Sequence, residues 1–228
     1  MKFNVRKRQG LTFSNGVLYE STGLYGQSKV RKLDYTTGDV IASVDLGSQY
    51  FGEGMTVTDN NTLIQITWKE QQGFVYDAST LEQIGGFTYS TTTNEGWGIT
   101  YIPHMKQLVV SDGSNMLHFW DATVNNFPEL KRIPIQRKDG TSVNSINELE
   151  YYHGYILANI WFSDTILKIH PETGLIEHEY DFSTLWPPEE RVGNGDVLNG
   201  ISISDKDGEL FVTGKLWPKI YRVRLKGI

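Results

Sequence analysis

A glutamate and a lysine, Glu53 and Lys215, belong to two series of positions that recur along the chain, among tryptophans and side-chain amides. The segments QGLTF, EGMTV, WGITY, NELEY and NGISI begin at Gln9, Glu53, Trp97, Asn147 and Asn199. A packed core would favour Val or Leu at that position, before the glycine or the residue standing for it. Near the end of the next strand a second series runs Glu20, Trp68, Asp112, Trp161 and Lys215. Arranged as a ring, the ten would face one central mouth, where aromatic walls surround Glu53, the one carboxylate of the inner series, and an amine. That is the usual make-up of a small-ligand site. Each residue taken alone also has a plainer reading: polar groups on an axis satisfy one another or bind channel water, and tryptophans fill blades.

The ring is a prediction from the elements. Short alternating runs such as VLYEST, TLIQIT, QLVVSD, YILANI and ELFVTG each follow a turn cluster containing Gly, Asn, Asp or His, so they are strands. The best helical candidate, PELKRIPIQRK, is broken by Pro134. The inner motifs are spaced by 44, 44, 50 and 52 residues, and Leu18, Leu63, Leu108, Ile156 and Leu210 open the following strands 9 to 11 residues later. Third strands follow as SKVRKLD, GFVYDAS, MLHFWDA, TILKIHP and PKIYRVR. Five units in 228 residues match the roughly 40 to 50 residues of a four-stranded propeller blade. The expected fold is therefore all-β, a five-bladed β-propeller forming a single domain over 1–228. The fifth unit stops after its third strand, so its outer strand is expected from the N-terminus, over Phe3 to Lys7.

Composition narrows the chemistry. No cysteine is present, which removes disulfides, thiolate metal sites and cysteine nucleophiles. With 21 basic against 27 acidic residues the net charge is −6, which argues against duplex nucleic acid or an anionic membrane as partner. No apolar run reaches the roughly 18 residues of a membrane span, and Met1 to Gly10 lacks the apolar middle of a signal peptide. The histidines, His104, His118, His153, His170 and His178, lack zinc-ligand spacing, and no GxSxG elbow supports a serine triad. SDGSN (Ser111 to Asn115) misses the calcium-loop spacing and is expected to be a hairpin turn.

Eight ordered motifs, FSNGVLYESTGLYGQSKVR, YFGEGMTV, LIQITWK, EGWGIT, LVVSDGSN, INELEYYHGYILANIW, VLNGIS and FVTGKLWP, closely resemble the plant and bacterial type of glutaminyl cyclase, or glutamine cyclotransferase. The resemblance runs from about Gln9 to Leu225. It implies a five-bladed propeller that converts the N-terminal glutamine of a peptide or protein to pyroglutamate with release of ammonia. The family's site residues fall on Gln9, Phe51, Glu53, Trp68, Trp97, Asn147, Trp161 and Lys215. One departure stands out: Lys7 occupies the place of a family aromatic. The chemistry suits these residues. Tryptophan walls would hold glutamine curled for intramolecular attack, Glu53 would carry the proton from the α-amine to the leaving nitrogen, and Lys215 with Asn147 or Gln9 would stabilise the oxyanion. The other candidates form the substrate pocket, while Trp120, Trp186 and Trp217 are expected to be structural. No cofactor or metal is called for, a monomer is expected, and the resemblance implies export. The rivals are a propeller that binds peptide amino termini without chemistry, and a structural-repeat adaptor.

Overall fold

The computed structural model describes residues 7–225 except 194 and 206. Its strands form five small antiparallel sheets in chain order. The first holds β1 (Arg8–Ser14), β2 (Val17–Thr22), β3 (Lys29–Leu33) and β4 (Val40–Asp45), and the second β5 (Gly52–Val57), β6 (Thr62–Thr67), β7 (Gln72–Asp77) and β8 (Gln83–Thr88). The third holds β9 (Ile99–Ile102), β10 (Gln107–Ser111), β11 (Met116–Asp121) and β12 (Glu129–Pro134). β13 (Ile146–Tyr152), β14 (Tyr155–Ile160), β15 (Thr165–Ile169) and β16 (Ile176–Asp181) make the fourth; β17 (Leu198–Ile203), β18 (Leu210–Gly214) and β19 (Tyr221–Val223) make the fifth. The first strands β1, β5, β9, β13 and β17 touch one another in turn around a ring. This is a five-bladed β-propeller, and PELKRIPIQRK supplies the outer strand β12.

Each blade is sandwiched between two others, and the burial pattern follows from that. Alternate residues of a strand point to opposite faces, so Leu63 joins the apolar cluster shared with blade one while Ile64 joins the cluster shared with blade three. Inner strands are consequently buried on both faces, as in β1, whereas the outer strand β4 is largely exposed. Asn15 and Gly16, both at positive φ (51° and 77°), make the tight turn between β1 and β2, the residue pair such hairpins favour.

Blade five meets blade one through Leu11, Phe13, Leu18 and Leu33 against Phe211 and Ile220. Beside this contact Arg8 N–H donates to Lys215 O at 3.0 Å. The Arg8 guanidinium is fully buried, donating through Nε to Glu20 Oε1 and through Nη1 to Trp217 O, both at 2.7 Å. The expected closing strand at Phe3 to Lys7 lies outside the described residues except for Lys7, which is exposed and not in a strand.

Candidate active site

The inner motif departs from regular pairing in four blades. The register with the second strand shifts between Arg8 and Gly10, Gly52 and Met55, Ile146 and Leu149, and Leu198 and Ile201. A bulge re-aims the side chains it carries, and these bulges carry Gln9, Glu53, Asn147 and Asn199. Glycine is required beside them because the inner strands nearly touch. A Cβ on Gly54 would lie 2.7 Å from Ile99 N, and one on Gly98 would lie 2.2 Å from Asn147 O. The approach is fixed by Gly54 N–H donating to Trp97 O at 2.8 Å and by Ser111 Oγ donating to Asn147 O at 2.6 Å.

Gln9, Phe51, Glu53, Trp68, Trp97, Asn147, Trp161 and Lys215 line one cavity of about 170 Å³. Its aromatic wall is a crescent. Tyr25 meets Phe51 edge-on at 5.3 Å, Phe51 meets Trp68 at 5.5 Å, and Trp97 meets Trp161 at 5.3 Å. The two arcs are joined by Glu95, whose Oε2 accepts the indole N–H of Trp68 and of Trp97, each at 2.8 Å. Lys69 covers the outer face of Trp68, 4.0 Å from the ring centre, and also faces Glu95. Glu70 supports the other end, accepting from Tyr25 Oη at 2.8 Å and from Phe51 N–H at 3.2 Å.

Opposite the crescent the groups are polar. Lys215 Nζ stands 5.9 Å from the Trp161 ring centre. Gln9 Oε1 and Asn147 Oδ1 are buried with no hydrogen-bond partner among the described residues, so both keep acceptor capacity for an occupant. Burial pushes the Glu53 carboxyl up to about 8, against the pull of Lys215 and reinforced by Glu95 and Glu70. Such a group exchanges a proton near neutrality, as an acid–base catalyst must. The arrangement suits a small amine-bearing ligand that loses or gains a proton while charge develops beside an ammonium.

Comparison with known proteins identifies the family. The family model described as glutamine cyclotransferase matches residues 5–225. The glutaminyl-peptide cyclotransferase of Arabidopsis thaliana is 38% identical over 224 residues, covering 96% of this chain and 67% of that protein. The chain belongs to the glutamine cyclotransferase family. The crystal structure of Myxococcus xanthus glutaminyl cyclase superposes with a TM-score of 0.87 at 33% identity, covering 98% of this chain and 94% of that one.

Within this cyclotransferase framework, three of the ten positions picked from the repeats lie elsewhere. Glu20 is buried between Arg8 and Arg31, at 2.7 and 3.1 Å, inside blade one. Its proposed place belongs to Gly23, as the backbone shows: Gly23 N–H donates to Lys7 O just as Trp68, Trp161 and Lys215 donate to Phe51, Ser145 and Val197. A Cβ at Gly23 would sit 2.1 Å from Phe51 Cε1 and 2.7 Å from Gln9 Cγ, so blade one leaves that space to its neighbours. Asp112 turns away to accept from Thr93 N–H and to face His118, itself buried between Asp112 and Glu129. Asn199 holds the pocket wall from behind, its Nδ2 donating to Gln9 O at 3.2 Å.

Two carboxylates escaped the sequence reading. Glu95 lies in the loop between β8 and β9, yet it stands two residues before Trp97 as Phe51 stands two before Glu53. Glu148 shows that Glu53 is not the sole carboxylate of the innermost ring. It replaces the glycine of the other blades, is fully buried, and accepts Leu11 N–H of blade one at 2.9 Å. Burial holds it well above the usual carboxylate range, with Leu11 N–H opposing and Glu150 and Glu53 adding. Trp120, Trp186 and Trp217 are buried in the clusters between blades, and SDGSN forms the β10–β11 turn.

Proposed function

We propose that this protein is a glutaminyl-peptide cyclotransferase whose eight cavity residues bind and cyclise an N-terminal glutamine. The observation that carries this reading is the meeting of a proton-exchanging carboxyl, Glu53, and an ammonium, Lys215, in one aromatic-walled cavity. In the proposed reaction the neutral α-amine attacks Cδ of its own side chain, and Glu53 takes the proton released from that nitrogen. Negative charge collects on the side-chain oxygen beside Lys215, with Asn147 or Gln9 as a further polar contact. Glu53 then returns the proton to the amide nitrogen, the bond from Cδ breaks, and ammonia leaves with the ring closed. Phe51, Trp68, Trp97 and Trp161 hold the five atoms that become the ring in the curled shape, where intramolecular reactions gain most.

The scheme asks for no cofactor or metal. We take the chain to be one catalytic domain acting as a monomer on peptides and proteins; the net charge of −6 argues against nucleic acid or an anionic membrane as partner. Among the described residues no helix is long and apolar enough to cross a membrane. The test is incubation with a glutamine-initiated peptide, following ammonia release and the matching mass loss. Glu53→Gln is expected to keep its circular dichroism and lose about 100-fold or more of kcat. Binding of the peptide by both proteins with turnover by neither would favour the non-catalytic binding propeller.

A further inference from the structure

The cavity of about 170 Å³ is smaller than the roughly 300–1,000 Å³ that takes a drug-sized ligand. On the cyclotransferase reading it receives one residue, and the second residue of the substrate must leave through the mouth onto its rim. The rim next to Trp161 is unusual. Ser163 N–H donates to Ile160 O at 3.0 Å, closing a turn whose third residue, Phe162, has φ 63°. Such a turn asks for glycine or asparagine at that place, and a bulky aromatic there is strained. The strain gains nothing in burial, for Phe162 is 61% exposed. What it achieves is placement: the Phe162 ring lies 4.3 Å from the Trp161 ring, extending the aromatic crescent out of the cavity.

Beyond Phe162 opens a second hollow of about 390 Å³, lined also by Ser163, Asp164, Arg191, Asp196 and Val197. Two contacts tie its walls to their surroundings. Arg191 Nη2 pairs with Asp164 Oδ1 at 2.8 Å, and Val197 O accepts Lys215 N–H at 2.9 Å. The hollow is thus lined by the chain neighbour of Trp161, Phe162, and by the backbone partner of Lys215, Val197, both partners being residues of the cavity wall. At the opposite rim Tyr25 is already engaged, its hydroxyl held by Glu70.

We propose that Phe162 and the hollow beside it form the subsite for the second residue of the peptide, favouring an aromatic or large apolar side chain that packs on the Phe162 ring. Two peptides differing only at that position, Gln-Phe and Gln-Gly with a common tail, test it through their kcat/KM values. The wild type is expected to prefer Gln-Phe by roughly tenfold, the scale of apolar discrimination in a pocket. Phe162→Gly and Phe162→Asn, which accept the turn without strain, should bring the ratio close to one while Tm stays level or rises. Equal kcat/KM in the wild type, or a preference that survives both substitutions, overturns the subsite. Turnover of neither peptide would instead overturn the cyclotransferase reading. Equilibrium binding of the two peptides then decides the subsite separately, equal affinities refuting it and a preference lost with Phe162 upholding it.

Discussion

At the level of single residues, the pairing of Glu53 with Lys215 makes each a reporter on the other. Lys215 lowers a carboxyl that burial has raised to about 8, so Lys215→Met should raise it further. In the proposed reaction Glu53 must be ionised to act as base, and the acid limb of the kcat/KM profile should therefore move to higher pH. With Lys215 in its proposed place beside the oxyanion, kcat should also fall by about 100-fold or more, the usual loss for one such donor. Lys215→Arg keeps the charge, so the limb should stay while kcat remains low, a planar guanidinium being no substitute for a compact ammonium. A pH–rate series on the three proteins separates these effects. Gly23→Ala tests the space left in blade one. Its Cβ would collide with Phe51 Cε1, Gly52 O and Gln9 Cγ at 2.1, 2.5 and 2.7 Å, and displaced pocket atoms should cost as much as about 100-fold in kcat/KM. Unchanged steady-state kinetics would mean that Phe51 and Gln9 yield freely. Gly23 is marked by spacing rather than by residue type: it stands five residues after Leu18, as Trp68, Trp161 and Lys215 stand five after Leu63, Ile156 and Leu210. A glycine carries no side chain to suggest a site, so the charged Glu20, only two residues after Leu18, draws the assignment instead.

At the level of elements, what places the polar residues is the bulge in the inner strand, and what holds the walls is the loop before β9. Five strands per register were legible because alternation and turn residues repeat, and Leu63 and Ile64 show how directly period two becomes two buried faces. The bulges were not, since an inserted residue only disturbs the alternation from which strands are recognised. Glu95 was passed over for a related reason, lying in a loop where an acidic residue is expected to be solvated. One of its oxygens accepts both indoles, and hydrogen bonds to a charged group are worth about 1.5–3 kcal/mol each. Glu95→Ala should therefore release Trp68 and Trp97 and raise KM about tenfold or more. Glu95→Gln retains an acceptor oxygen and should affect KM less. It also removes an anion that raises Glu53, so the acid limb should shift to lower pH, which a pH–rate profile would detect.

At the level of the whole molecule, burying carboxyls about the axis sets how stability depends on pH. Burial raises Glu53 and Glu150 to about 8 and Glu148 well above the ordinary range. A group raised in the folded state favours folding fully below its unfolded pKa, and that contribution is lost as pH rises through the folded value. The turn aspartates Asp34, Asp77 and Asp121, lowered by side-chain or backbone hydrogen bonds from their own turns, act in the opposite sense and lose their contribution only in acid. Tm should therefore fall between pH 6 and pH 9. Glu150→Gln, whose oxygen can still accept Ile203 N–H, should flatten that fall in a calorimetric series, each kcal/mol recovered being worth about 2–4 °C. The Arg8 junction carries a consequence of another kind. Its guanidinium joins Glu20 nearby to Trp217 O, a residue 209 positions away, and the adjacent Gln9 and Lys215 share the cavity. During synthesis on the ribosome the first four blades can assemble in succession, but Lys215 reaches Gln9 only when the ring shuts. Catalytic competence would then arrive in one late step, so a nascent or partly unfolded chain would bear most of the pocket and still be inert.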